Sequence, residues 1–261
     1  MMGAHPRDSL FAWLATLGRR EVRYPPGPEG KLLYAIGDIH GRSDCLARAH
    51  ALIDRDAARR GAGERAVEIY IGDYVDRGPD SKGVIDLLAA RATATRIVAL
   101  RGNHEIVMES FLRGQIPFED WRRLGGLETI LSYGVDARRL LANGDVRPRD
   151  LAEKVPRSHL RFLSSLANVY TSGRYCFVHA GLRPGVAIAR QSIEDLAWIR
   201  DDFLNFAGDL GFVVVHGHTP VTCVDFLPNR INIDTGAYAT NRLSVLRIDR
   251  EGVAVLEPAA P

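Results

Sequence analysis

Cysteine is scarce in this sequence. Its three cysteines, Cys45, Cys176 and Cys223, lie far apart in a chain of 261 residues. They form no CxxC pair and no even-numbered framework. That excludes a disulfide-stapled scaffold and fits a reducing compartment, with all three expected as core thiols. Long apolar runs are absent too: nothing approaches the ~18 residues that a membrane-spanning helix needs. The nearest stretch, residues 10–17, is short, contains Thr16, and runs into Gly18-Arg19-Arg20 without a good small-residue cleavage site. It reads as an amphipathic helix lying on the body of a cytoplasmic protein. No block of one charge stands out and the formal net charge is +2, so neither nucleic acid nor membrane is expected as a partner. There is no internal repeat and no low-complexity segment.

What is present is ordinary for a globular protein. The apolar fraction is 46%, and a chain of this length buries a sizeable core without staples. A Pro25-Pro26-Gly27-Pro28 cluster separates an N-terminal helix and linker, residues 1–30, from a single domain over 31–261. Apolar strands are expected over 31–36, 66–71 and 96–100. Each runs into a glycine-bearing loop, followed by helical patterns over 44–60, 81–90 and 105–112. Leu46, Ala49, His50, Ile53 and Ala57 carry the first of these at helical spacing. Strand, loop and helix repeated three times predict an α/β fold with parallel strands. Residues 106–168 read as an inserted helical cap, with further helices over 127–133 and 158–166. After Gly173 short strands return, over 175–178, 212–215, 221–226, 230–233, 243–248 and 253–256, which suggests a second, mixed sheet.

Five loops that follow expected strands carry the chemistry. They read Gly37-Asp38-Ile39-His40-Gly41, Gly72-Asp73-Tyr74-Val75-Asp76-Arg77-Gly78, Arg101-Gly102-Asn103-His104-Glu105, His179-Ala180-Gly181 and His216-Gly217-His218-Thr219-Pro220. Ligands of open α/β sheets sit at the carboxyl ends of the strands, so these loops can converge. Carboxylate and imidazole together suit Mn²⁺, Fe or Zn²⁺. Asp73 has two oxygens and can bridge two ions, Asn103 adds a neutral oxygen, and histidines add nitrogen. His216 and His218 stand two apart, and strand parity does not choose between them. Six ligands for two ions leave positions open for water and substrate, as hydrolysis at a two-metal site requires.

These motifs resemble the calcineurin-like metallophosphoesterase superfamily. GDIHGR, GDYVDRGPDS and LRGNHE are similar to its phosphoprotein phosphatase branch. HGHTP followed by NIDTGA is similar to the small bacterial and lambda-phage protein phosphatases. The resemblance runs from about Tyr34 to Arg247 and implies a four-layer α/β/β/α sandwich of two mixed sheets. It implies that Asp38 and His40 bind a first metal, that Asp73 bridges, and that Asn103, His179 and His218 complete the second site. It further implies His104 as general acid oriented by Asp76, with Arg77 and Arg200 holding phosphate oxygens. Arg200 is matched through Trp198-Ile199-Arg200. The expected cofactors are two divalent ions, manganese first, with iron or zinc as alternatives. The expected reaction is hydrolysis of a phosphate monoester by a metal-bridging hydroxide. Phosphoserine or phosphothreonine proteins and peptides are the expected substrates of a monomeric enzyme. Pro220 stands where nuclease and phosphodiesterase relatives have another histidine, and points to the protein-phosphatase branch. The rival is a symmetrical diadenosine tetraphosphate hydrolase, which usually has Asp where this chain has Glu105. A decayed, non-catalytic scaffold is the rival of another class, but the ligand set is unbroken.

Overall fold

The computed structural model describes residues 22–62, 65–136 and 146–257. The helix expected over residues 10–17 lies outside them. Two five-stranded mixed sheets pack face to face. In the first, β1 (Leu32–Ile36), β2 (Ala66–Tyr70) and β3 (Ile97–Ala99) are parallel, and the antiparallel pair β9 (Val245–Asp249) and β10 (Gly252–Val255) extends it beyond β1. The second has the order β4 (Val169–Ser172), β5 (Tyr175–Val178), β6 (Val213–His216), β8 (Arg230–Asn232) and β7 (Asp225–Leu227), with β5, β6 and β8 parallel.

Alternation along the strands builds the layers. Leu33 and Ala35 of β1 face inward and pack with Val67, Ile69, Phe177, Val215 and Ile231 in the core between the sheets. Leu32, Tyr34 and Ile36 face outward into a second core. That core is closed by α1 (Ser43–Arg59), α2 (Ser81–Ala94) and the cap helices. On the far side, Cys176, Val178 and Val214 meet α8 (Ile193–Trp198) and α9 (Asp201–Leu204) through Leu196 and Phe203. The result is the expected four-layer α/β/β/α sandwich.

The cap between β3 and β4 carries α3 (Asn103–Leu112), α4 (Phe118–Arg122), α5 (Gly126–Ser132), α6 (Pro148–Ala152) and α7 (Arg157–Ser164). It leaves and re-enters beside β3: Ala167 donates to the Ala99 carbonyl at 3.0 Å, and Arg101 donates to that of Ala167 at 2.8 Å.

Several expectations need correction. A strand precedes Gly173: β4 is an edge strand bonded only to β5, half-buried for most of its length, so its alternation is weak. The strand expected over 221–226 is confined to Asp225–Leu227. The short helices α4, α6, α8, α9 and α10 (Ala237–Thr240) span four to six residues, too few for apolar periodicity to show. Cys45 and Cys176 are buried, but Cys223 is exposed and not a core thiol.

Candidate metal centre

The carboxyl ends of the parallel strands bring the five loops together. β1 delivers Asp38 and His40, β2 Asp73 to Arg77, β3 Asn103 and His104, β5 His179, and β6 His218. A sixth loop, after β8, delivers Asp234 of the NIDTGA segment, to which the motifs assign no role. Among the described residues, six non-glycine residues have positive φ, and five are in this cluster: His40, Asp73, Asp76, Arg77 and His218. L-residues avoid that region, and strain of this kind concentrates at functional sites. Glycine permits the close approach between loops: a Cβ on Gly102 would collide with the Asp73 carboxylate, and one on Gly217 with that of Asp38.

Asp73 is the centre. Its Oδ2 lies 3.4 Å from His40 Nε2 and 3.8 Å from His104 Nε2, and its Oδ1 lies 3.4 Å from His179 Nε2. A carbonyl only accepts, so the bonds from His40 Nδ1 to Val75 O and from His179 Nδ1 to Ile71 O, both 3.0 Å, place each ring's proton on Nδ1. Burial keeps both rings uncharged: His40 is pushed down to about 3, and His179 is also lowered. Each Nε2 therefore points a lone pair at a carboxylate oxygen. Lone pairs facing a buried carboxylate from both sides repel unless a cation lies between them. Two donor groups follow, His40–Asp73–His104 and Asp73–His179–His218, with donor atoms within 4.8 Å of one another in each. Two buried atoms without hydrogen-bond partners, Asp38 Oδ1 and His218 Nε2, add to the demand for a cation. The residues fit a dinuclear metal centre.

Individual placements differ in detail from the ligand set implied by the resemblance. Asp38 stands outside both donor groups; its Oδ2 accepts the His218 amide at 3.1 Å. Burial, Asp234 and Asp73 raise its pKa well above the usual carboxylate value. Asn103 Oδ1 lies 3.0 Å from both His179 Nε2 and His218 Nδ1. His216 belongs to neither donor group; its ring stands edge-on to Phe203 at 4.9 Å.

His104 donates from Nδ1 to Asp76 Oδ2 at 2.7 Å. Burial opposes charge on this ring, but the Asp73 and Asp76 carboxylates outweigh it and raise its pKa above the ordinary imidazole value. Asp76 is fully buried and accepts two further bonds, from Trp121 Nε1 at 2.8 Å and Thr129 Oγ1 at 2.6 Å. Both donors come from the cap. Glu105 accepts the backbone N–H groups of Asp73, Tyr74, Val75 and Gly102 at 2.7–3.2 Å, and so fixes the turn that presents Asp73. Trp121 and Thr129 have no signal in spacing, whereas Asp76 and Glu105 sit inside recognisable motifs.

Arg77 forks over the cluster, with Nη1 3.1 Å from His40 Nε2 and Nη2 3.1 Å from His104 Nε2. The Tyr238 ring stands edge-on to His40 at 5.4 Å and under the Arg77 guanidinium at 5.0 Å. Arg200 is exposed, but close enough that its charge helps hold His218 down, after burial and His179.

Residues 32–250 match the calcineurin-like phosphoesterase family. The chain belongs to that family. It is a metal-dependent phosphoesterase, a hydrolase of the kind that works with a dinuclear centre. It is 27% identical to the asymmetrical bis(5'-nucleosyl)-tetraphosphatase PrpE of Geobacillus thermodenitrificans, over 81% of this chain and 88% of that protein. A symmetrical bis(5'-nucleosyl)-tetraphosphatase of Dechloromonas aromatica is 32% identical over 58% of this chain and 44% of its own. The solved structure of a Saccharomyces cerevisiae protein serine/threonine phosphatase superposes with a TM-score of 0.51 at 14% identity, over 89% of this chain and 81% of that one, a likeness of fold. No described helix is long and apolar enough to cross a membrane.

Proposed function

We propose that this phosphoesterase cleaves the phosphoanhydride bridge of dinucleoside polyphosphates, with bis(5'-nucleosyl) tetraphosphate as the representative substrate. The observation that carries this reading is the extent of the likeness to the curated asymmetrical tetraphosphatases. It spans 238 aligned residues, whereas the metal motifs common to the whole family occupy only short loops. Asp38, His40 and Asp73 would hold one ion, and Asp73, Asn103, His179 and His218 the other, with manganese as the expected metal. When bound, the two ions supply Lewis acidity and lower the pKa of water. Arg77 and Arg200 meet the charge on the transferred phosphoryl group with oriented N–H groups. His104, held by Asp76, delivers a proton from Nε2 to the leaving oxygen.

The His104–Asp76 pair favours a second reading. A nucleotide leaving group is weakly basic and needs little protonation, while a serine or threonine alkoxide needs a proton to depart. A buried imidazole with a raised pKa is suited to the alkoxide, and supports the phosphoserine or phosphothreonine protein phosphatase expected from the motifs. One experiment separates the readings. The Mn²⁺-loaded protein is given diadenosine tetraphosphate and a phosphoserine peptide in parallel, and products are resolved by chromatography. A higher kcat/KM on the dinucleotide supports the first reading, with ATP plus AMP marking asymmetrical cleavage and ADP symmetrical cleavage. A higher value on the peptide replaces it with the second.

A further inference from the structure

A cavity of about 640 Å³ opens beside the metal cluster, lined by Arg77, Arg122, Arg123, Leu124, Leu127 and Tyr238 among others. Arg77 belongs to both places: its guanidinium touches His40 and His104 and also walls the cavity. The far wall comes from the cap, where α4 turns into α5. That turn is fixed against Arg77, because Arg77 N donates to Gly125 O at 3.1 Å, and Gly125 has φ of 101° in a place where a Cβ would strike the Arg77 backbone. The cavity's position relative to the metal cluster is therefore set by backbone contacts as well as side chains.

Its lining has a definite chemistry. Arg122 and Arg123 bring two more guanidinium groups beyond Arg77. Each is already paired with an acid of its own helix, Arg122 with Glu119 at 2.8 Å and Arg123 with Glu119 at 3.6 Å and Asp120 at 3.9 Å. All four side chains are more than half exposed, and exposed pairs of this kind are worth little, so either arginine turns to a bound anion at small cost. Tyr238 and Leu124 are exposed large hydrophobic residues. A guanidinium row followed by a flat aromatic face and an aliphatic side chain fits a phosphate chain that ends in a nucleoside.

The surroundings of Arg200 are the opposite. There the cavity wall holds Glu194, Asp195, Asp201 and Asp202, and its second arginine, Arg183, is held by Asp195 at 2.5 Å and Asp202 at 2.8 Å. On the Arg77 side the wall holds three arginines and one acid, Glu128, with Glu119 and Asp120 pairing Arg122 and Arg123 from their own segment, so a polyanion leaving the metal cluster meets more guanidinium groups and fewer lining acids there than beside Arg200.

We propose that the Arg77–Arg122–Arg123–Tyr238 cavity is a nucleotide subsite, in which Arg122 and Arg123 hold the phosphates distal to the bond that breaks and Tyr238 stacks on the base. As a substrate subsite it rests on the dinucleoside polyphosphate reading above. As a nucleotide-binding cavity it can be tested without it. The reporter is p-nitrophenyl phosphate hydrolysis at fixed free Mn²⁺, inhibited by either ADP or inorganic pyrophosphate. Arg122→Ala/Arg123→Ala should weaken inhibition by both about tenfold or more, the size expected for lost charge-assisted hydrogen bonds. Tyr238→Leu should weaken inhibition by ADP severalfold and leave that by pyrophosphate in place. The same arginine variant should lower the ratio of kcat/KM for diadenosine tetraphosphate to that for p-nitrophenyl phosphate by a similar factor. Inhibition constants equal to those of the native chain in both variants overturn the subsite. Native protein that does not cleave the dinucleotide overturns the substrate reading, and the inhibition constants still decide the subsite.

Discussion

The indole N–H of Trp121 reaches Oδ2 of Asp76 at 2.8 Å, the same oxygen that holds His104. The cap thus does more than overhang the site: it supplies hydrogen bonds to the carboxylate that accepts from His104. Trp121→Phe keeps most of the packing against Phe111 and Phe118 and removes that one donor. Expected is a loss of about tenfold in kcat on esters with basic leaving groups, the worth of one hydrogen bond to a charged group. Loss on p-nitrophenyl phosphate should be smaller, at unchanged metal content. A common factor on all leaving groups would assign Trp121 a packing role only.

The raised pKa of His104 sets a pH dependence. A general acid works while it carries its proton, so activity on basic leaving groups is present below that pKa and falls as pH rises through it. His104→Asn should abolish that alkaline limb and lose ~10²–10⁴-fold in kcat where the leaving group is an alkoxide. A pH profile with the same limb in native and variant proteins would place the titrating group elsewhere.

His216 and His218 should part company. His218→Ala removes a donor with an unpartnered buried Nε2 beside Asp73, and should lose metal and nearly all turnover. His216→Ala removes a ring packed on Phe203. It should keep both metals and cost stability, about 2–4 kcal/mol by the range for large-to-small core changes. Metal analysis of the two purified variants checks this; equal metal loss would break the assignment.

Chelation should abolish activity and Mn²⁺ should restore it, because Asp73 and the rings around it leave lone pairs facing carboxylate oxygens without an ion. Full turnover in a metal-stripped sample, verified by elemental analysis, would refute the two-ion site.

Arg77→Ala and Arg200→Ala should each lower kcat/KM by about tenfold to a few hundredfold through lost phosphate contacts. Arg77→Ala should also disturb His40 and His104, which it touches, so its metal affinity should fall while that of Arg200→Ala stays. Native behaviour of Arg200→Ala on every ester tried would make its position accidental.

The convergence of the loops carrying Asp38, His40, Asp73, Asn103, His179 and the His216–His218 pair was legible in the sequence because each follows an apolar strand and sits beside glycine or another polar residue with ligand chemistry; which of the two histidines faces Asp73 was not. The sheets were legible for the same reason, wherever a strand is buried on both faces, as in LLYAI of β1. What escaped was set by contacts between distant segments. Trp121 and Thr129 meet Asp76 across 45 and 53 residues, and no local pattern records that. Tyr238 follows a left-handed Gly236 on a four-residue helix too short to show a face. β4 is an edge strand with little alternation to read.

The two donor groups differ in how they are mounted. His40, Asp73 and His104 all stand on loops of the first sheet, while Asp73, His179 and His218 join the first sheet to the second. An ion held by Asp38, His40 and Asp73 would tie together neighbouring loops of one layer; an ion held by Asp73, His179 and His218 would be a rivet through the sandwich. Its binding free energy therefore adds to the cohesion of the two layers, by about 2.7 kcal/mol when free metal exceeds the dissociation constant a hundredfold. Occupancy of that position would link how much metal the surroundings supply to how firmly the two layers hold together under heat or protease.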